Sequence, residues 1–320
     1  MPAEELMNLK LARVADEAEG VVSLELVSPS GSKLPAFTAG SHIDLHISKG
    51  CIRQYSLCND PGETHRYVVG VLREPKSRGG SQAIHERFRE GDTVQVGIPR
   101  NNFPLIDDAK HTILIGGGIG ITPILSMAWR LTALNASFEL HYCTRSLART
   151  PFKSLIKSAP FSGRIVLHLD DGSDEQRFRC ETVIAGPSSG LHLYACGPSA
   201  FMDYVVEGAK LRGLTEGQIH IERFSGSISS SGEEFSVRAV RSGQTVQVAP
   251  DMTIAQALLA AGVDVPLSCE QGVCGTCLTS VIEGIPEHRD VYQSDCEKAT
   301  NKQIAICCSR ARTSMLVLDI

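Results

Sequence analysis

From Val21 onward the chain alternates apolar and polar positions in short bursts. VVSLELV (21–27), SHIDLHI (41–47), RYVVGVLRE (66–74) and DTVQVGI (92–98) are separated by Gly, Pro and Asn, as strands are by turns. Strands at that spacing predict a small antiparallel β-barrel over residues 1–105. The pattern changes near Asn101. ILIGGG (113–118) runs into PILSMAWRLTAL, where Ile124, Ala128 and Leu131 keep helical spacing. FELHYCT, RIVLHLD, LHLYACG and IHIERF then alternate with helical or loop segments, which predicts a parallel α/β sheet over 106–224. The run SGSISSSGEE (225–234) is polar and without period, the composition of a flexible linker. Beyond it, FSVRAVRSG and QTVQVAP suggest a hairpin, and MTIAQALLAAG suggests a helix capped by Thr253, so 235–320 forms a further module.

Composition narrows the partners. A chain of 320 residues is long enough for two or three cores. Its net charge of −5 and lack of a basic run argue against nucleic acid or a membrane surface as partners. No stretch of eighteen apolar residues occurs, and MPAEELMNLK lacks the apolar core of a signal peptide, so a soluble cytoplasmic protein is expected. Eleven cysteines, an odd number, suit reduced thiols better than a disulfide framework.

Three of those cysteines stand in SCEQGVCGTC. Cys269, Cys274 and Cys277 have the spacing C-x4-C-x2-C, and IAICCSR supplies a fourth candidate in Cys307 or Cys308. This is the arrangement of a plant-type [2Fe-2S] cluster: three ligands on one tight loop and a fourth from a distant segment. Gly272 and Gly275 let such a loop pass close to a cluster. Structural zinc favours two paired knuckles, and only one C-x2-C is present. Spacing leaves Cys307 and Cys308 open as the fourth ligand, because one step along a strand reverses the side chain.

The glycines of ILIGGGIGITP follow a strand and precede a helix, where a backbone can approach a pyrophosphate. The sequence lacks the third glycine of the dinucleotide fingerprint: Ile121 occupies that position, Thr122 is the expected N-cap, and Pro123 stands where a helix tolerates proline. A tight strand-to-helix turn explains this stretch equally well by itself. YACGPSAFMDYV (194–205) repeats the theme at a second strand end, which favours a ligand between them. In RQYSLCND (53–60), Arg53 could hold a phosphate, Tyr55 a flat ring and Ser56 a hydrogen bond, although such a strand is more often a half-exposed barrel face. SRGGSQAIH (77–85) offers a possible anion nest or a plain turn.

Together these stretches make the chain resemble the phthalate dioxygenase reductase family, the single-chain reductases that serve Rieske oxygenases, over essentially its whole length. The resemblance implies an FMN-binding barrel, an NAD-binding α/β domain and a C-terminal β-grasp ferredoxin domain. It places Arg53, Gln54, Tyr55 and Ser56 at FMN, with Gly79, Gly80 and Ser81 toward the phosphate and Phe224 of IERF beside the ring. It places Gly117, Gly118, Gly120, Thr122 and Pro123 at NADH, facing Cys196, Gly197 and Pro198, with Asp171 or Asp170 at the adenosine ribose. Ser56, Thr122 and Cys196 become the catalytic residues. The metal ligands become Cys269, Cys274, Cys277 and Cys307, the last because the family's fourth ligand directly precedes an x-S-R-A sequence.

Electron counting supports three cofactors. NADH gives two electrons together as hydride, a [2Fe-2S] cluster accepts one, and a flavin reconciles the two. The expected function is therefore that of an NADH-dependent oxidoreductase passing single electrons to a Rieske-type oxygenase. Hydride transfer needs no general base, so the histidines are expected to be structural or solvated. A stand-alone diaphorase that reduces free flavin or ferric ion is the alternative, but it leaves the cysteines unexplained. NADH is preferred over NADPH, with Arg145 in YCTRS the residue that could reverse that preference. Acidic residues such as Glu270, Glu283 and Glu287 suggest first a solvated face and second a surface that steers a partner.

Overall fold

The structure, a computed structural model, describes residues 5–48, 51–74, 79–186, 188–224 and 231–320. Most of the expected linker, 225–230, lies outside the described residues, as do Ser77 and Arg78 of the possible anion nest. The chain divides into two compact units, Met1–Phe224 and Ser225–Ile320.

The first unit opens with β1 (Leu6–Ala18), β2 (Val21–Val27), β3 (Ser41–Ser48), β4 (Cys51–Ser56) and β5 (Arg66–Leu72). After helix α1 (Gly80–Arg87) come β6 (Thr93–Gly97) and β7 (Arg100–Asn101). These strands pair antiparallel in the order β4-β3-β6-β1-β2-β5, with β7 beside β3. Leu57, just past β4, pairs with Val69 of β5 and closes the sheet into a barrel. Alternate residues point inward, among them Leu24, Leu26, Ile43, Leu45, Tyr67, Val69, Val71, Val94 and Val96, all buried. The long strand β1 was not evident from the sequence. Leu9 and Leu11 alternate as a strand should, but register shifts at Leu11/Arg13 and Asp16/Ala18 break the two-residue period in its second half.

The same unit continues as a parallel sheet of β8 (His111–Gly117), β9 (Phe138–Thr144), β10 (Ile165–Leu169), β11 (Leu191–Cys196) and β12 (Ile219–Glu222). Their order is β10-β9-β8-β11-β12, every pair parallel. The chain runs outward from β8 in one direction and then returns to build outward from β11 in the other. Helices α2 (Ile121–Ala133), α3 (Lys153–Ser158), α4 (Cys180–Val183) and α5 (Ser199–Leu211) connect the strands. The helix expected from Ile124, Ala128 and Leu131 is α2, and it buries all three. Thr122 is not its N-cap. A single 3-10 turn over Gly118–Gly120 starts the helix two residues earlier, so Thr122 lies in the first turn and donates its hydroxyl to Ile119 O at 3.0 Å.

In the second unit, β13 (Phe235–Ala239) and β14 (Gln244–Val248) form the expected hairpin, followed by α6 (Ile254–Ala260). Thr253 caps α6, accepting from Gln256 N at 3.2 Å. Then come β15 (Leu278–Glu283), β16 (Pro286–Glu287), α7 (Asp295–Ala299), β17 (Gln303–Ala305), β18 (Arg310–Ala311) and β19 (Met315–Leu318). The mixed sheet runs β14-β13-β19-β15-β17 beneath α6, the β-grasp arrangement. Arg310 is buried at 1% exposure, its guanidinium donating to Met252 O at 2.7 Å and to the carbonyls of Glu233 and Ala249. The chain entering this unit is thereby tied to its core. Among the described residues, no helix is long and apolar enough to cross a membrane.

Candidate functional site

The topology puts the C-terminal ends of β8 and β11 side by side, with Cys196 paired to Gly116, although they are 80 positions apart in the chain. A ligand of an open parallel sheet binds where the winding reverses, and here it reverses between these two strands. The glycines serve contact as much as flexibility. A Cβ on Gly120 would stand 2.3 Å from Cys196 O and 2.7 Å from Gly197 N, and one on Gly117 would meet the Phe201 ring at 2.8 Å. Gly118 alone needs a left-handed backbone, at φ 55, and faces open space. Pro198 precedes α5, and Pro123 is buried in the first turn of α2. Asp170 and Asp171 lie exposed just past β10, their amides bonded to Thr144 O and Arg145 O.

Three strand ends meet a few ångströms away. Ser56 ends barrel strand β4, Cys196 ends β11, and Glu222 ends β12 as the register partner of Cys196. The Ser56 hydroxyl donates to Glu222 Oε2 at 3.3 Å, and the Cys196 thiol points to the same oxygen at 4.0 Å. Burial pushes the Glu222 carboxyl up to about 8, against the opposing pull of the Ser56 hydrogen bond. Burial, then the neighbouring Glu222, also pushes the Cys196 thiol well up. At neutral pH a protonated carboxyl thus sits between a hydroxyl and a thiol. Thr122 joins this region from α2, its methyl facing Gly70 of the barrel, where a Cβ would lie 2.9 Å away. Glu222 is not among the residues expected from the sequence; the signal for it there is its place at the end of the strand IHIE, two residues before the IERF phenylalanine. Phe224 is half-buried against the core formed by α2 and the parallel sheet.

Along β4 the side chains alternate. Arg53 lies over the start of α1: a Cβ on Gly80 would be 3.0 Å from Arg53 Cγ and Nε. That helix begins at Gly79 in a left-handed conformation, φ 92, with no side-chain cap. A guanidinium beside a helix N-terminus suits a phosphate-sized anion. Ser81 contributes to the local turn by accepting from Glu74 N at 3.1 Å. Tyr55 is half-buried on the barrel core, which pushes its phenol up. The Gln54 side chain turns away from both, donating to Asp44 Oδ1 at 3.1 Å, with His42 Nε2 at 3.4 Å. Only its backbone shares the strand with Arg53 and Tyr55.

The second unit brings Cys269, Cys274, Cys277 and Cys307 together as buried thiols. They form two contacting pairs. Hydrogen bonding from the Cys269 thiol pushes Cys274 down, and hydrogen bonding to Cys307, then burial, pushes Cys277 up. Cys308, in contrast, directs its thiol to Ala305 O at 3.7 Å. The loop achieves this with left-handed residues at Glu270, Gly272 and Gly275. A Cβ on Gly272 would lie 2.6 Å from Cys308 Sγ. The Gln271 amide donates to Cys269 Sγ at 3.3 Å, as an amide would to a cluster thiolate. Among the described residues, no three His, Cys, Asp or Glu side chains converge as a single-ion site. Two pairs of buried thiols fit the donor set of a two-iron cluster.

Comparison with known proteins agrees with this geometry. Residues 237–312 match the family described as the 2Fe-2S iron-sulfur cluster binding domain. The chain is 47% identical over 305 residues to a vanillate O-demethylase oxidoreductase from a Pseudomonas strain, covering 95% of this chain and 96% of that one. It is 40% identical over 321 residues to phthalate dioxygenase reductase of Burkholderia cepacia, covering 98% and 97%. A solved phthalate dioxygenase reductase, described as a modular structure for electron transfer from pyridine nucleotides to [2Fe-2S], superposes with a TM-score of 0.80 at 39% identity, covering 98% of both chains.

Proposed function

The chain belongs to the phthalate dioxygenase reductase family, and from that premise we propose that it takes electron pairs from NADH and delivers them singly to a Rieske-type oxygenase component. The observation that carries this reading is the coexistence, on one chain, of a strand-end dinucleotide site and a buried quartet of thiols. The barrel, 1–105, is the FMN module; 106–224 is the NAD module; 225–234 is the linker; and 235–320 is the cluster module. When bound, FMN supplies the conversion between paired and single electrons, and the [2Fe-2S] cluster supplies one-electron storage.

The residues position and shield. Arg53 and the amides opening α1 at Gly79, Gly80 and Ser81 hold the FMN phosphate, while Tyr55 and Phe224 flank the flavin ring. Gly117, Gly118 and Gly120 let the dinucleotide approach the backbone between β8 and β11, and Asp171 or Asp170 accepts from the ribose hydroxyls. Thr122, Cys196 and Ser56 line the place where nicotinamide and flavin meet. Burial holds the Glu222 carboxyl up, so it keeps a proton between Ser56 and Cys196 and adds no negative charge there. Cys269, Cys274, Cys277 and Cys307 hold the cluster.

Purified, iron-reconstituted protein should show flavin and iron–sulfur visible bands and, on anaerobic reduction with NADH, a rhombic paramagnetic signal. Absence of that signal under dithionite would overturn the reading.

Glu222 makes a separate prediction. Its folded value, about 8, lies above the ordinary 4.5, so folding binds a proton more tightly and stability is lost as pH rises through that interval. The lone tryptophan, Trp129, reports on the first unit. Thermal midpoints from its fluorescence should fall between about pH 5 and about pH 8 more steeply in the wild type than in Glu222→Gln. Parallel curves would mean that the carboxyl is ionised throughout.

A further inference from the structure

The segment after β16 covers the cysteine loop. The Val291 amide donates to Gly272 O at 3.0 Å. A Cβ on Gly272 would stand 3.0 Å from Asp290 Cα, and one on Gly275 would lie 2.5 Å from the Tyr292 ring carbons. Residues 290–292 therefore press against the two glycines that alternate with the ligand cysteines. Their flanks are fixed from within: Asp290, 3% exposed, accepts from Gln293 N at 2.8 Å, and Ser294 with Glu297 forms a capping box at the start of α7. Val291 and Tyr292 themselves are 46% and 44% exposed. An apolar and an aromatic side chain, rigidly held and half in water, thus stand directly over the candidate cluster loop. Acidic residues follow, with Asp295 and Glu297 exposed on α7. Between Asp251 and Thr300 the chain carries eight Asp and Glu against two Lys and Arg.

We propose that the Val291–Tyr292 ridge is the surface on which the electron-accepting protein docks, and that this partner presents a Lys- or Arg-rimmed face around its own redox centre. The inference rests on the reading of the quartet as the electron exit. Transient redox complexes bury little area, so one preorganised aromatic anchor supplies much of their affinity and the surrounding charge sets the encounter rate. Tyr292 suits the first role because its ring is fixed before the partner arrives. The exposed carboxylates of Asp295 and Glu297, which follow it on α7, suit the second and select a basic face.

Cytochrome c, a basic one-electron haem protein, is the probe. Tyr292→Ser should lower kcat/KM for cytochrome c about tenfold, and Tyr292→Phe should restore it. Asp295→Lys should lower it as well and flatten its dependence on ionic strength. NADH-driven reduction of dichlorophenolindophenol, and the rate at which NADH generates the paramagnetic signal, should be unchanged in all three. The proposal is overturned if Tyr292→Ser matches the wild type with cytochrome c, or if the signal appears correspondingly more slowly, which would assign the ridge to internal transfer. It is overturned too if the wild type dimerises and Tyr292→Ser does not, which would assign the ridge to a second copy of the chain. Cys274→Ser separates the two levels. If that variant reduces cytochrome c at the wild-type rate, the quartet is not the exit and both readings fall; if it fails to while Tyr292→Ser is unaffected, only the ridge falls.

Discussion

Cys274→Ser should abolish electron delivery to a protein acceptor while NADH continues to reduce a small dye. Cys274 is the member of the quartet whose thiol is pushed down, by hydrogen bonding from Cys269. A serine hydroxyl in its place stays protonated near neutral pH and presents a hard oxygen where the cluster takes thiolate. The loop cannot substitute another sulfur easily, because Glu270, Gly272 and Gly275 fix its path and Cys308 turns toward Ala305 O. Cluster binding, read by visible absorbance and paramagnetic resonance, should be lost together with at least about a hundredfold of the rate to cytochrome c, since removing a ligand exceeds the cost of removing one of its supports. Dye reduction should persist because the sites assigned to FMN and NADH lie within Met1–Phe224, which has its own cores. Survival of both activities would take the quartet off the electron path.

The parts of this molecule legible in the sequence are those fixed by neighbours along the chain. Barrel strands such as SHIDLHI show their inward positions by alternation, and the Thr253 cap follows from a hydroxyl placed just before an apolar helical run. Cysteine spacing likewise describes one loop. What escaped depends on residues distant in sequence or on local irregularity. Two register shifts in β1 hid a 13-residue strand. Nothing adjacent in the chain marks Glu222: the parallel register sets it beside Cys196, and the barrel brings Ser56, 166 positions away, onto its carboxyl. The choice between Cys307 and Cys308 had the same character, because the side-chain direction at that point depends on how the final turn before β18 is wound. Thr122 shows how one turn of 3-10 helix at Gly118–Gly120 displaces a cap by two residues.

Gly120→Ala tests the contact between the two strand ends. Gly120 has φ −63, a conformation any residue adopts, so a change there carries no backbone strain of its own. The obstacle is steric and is made of main chain: the new methyl would lie 2.3 Å from Cys196 O, 2.5 Å from Cys196 C and 2.7 Å from Gly197 N. No rotamer change relieves such a clash, so β11 and the turn leading into α2 must move apart, at a cost of about 1–3 kcal/mol or more. That movement shifts Cys196 against Glu222 and widens the groove assigned to the dinucleotide. NADH-driven dye reduction should fall by about ten- to a hundredfold with a raised KM for NADH, the sensitivity expected when reacting groups are misplaced by about an ångström. The Trp129 fluorescence midpoint should fall as well. Gly163→Ala is the control, since nothing lies within 4 Å of a Cβ at that position, and it should leave both measurements unchanged. If Gly120→Ala behaves like Gly163→Ala in both, the strand ends do not meet at Gly120 and the groove between β8 and β11 is not shaped by that contact.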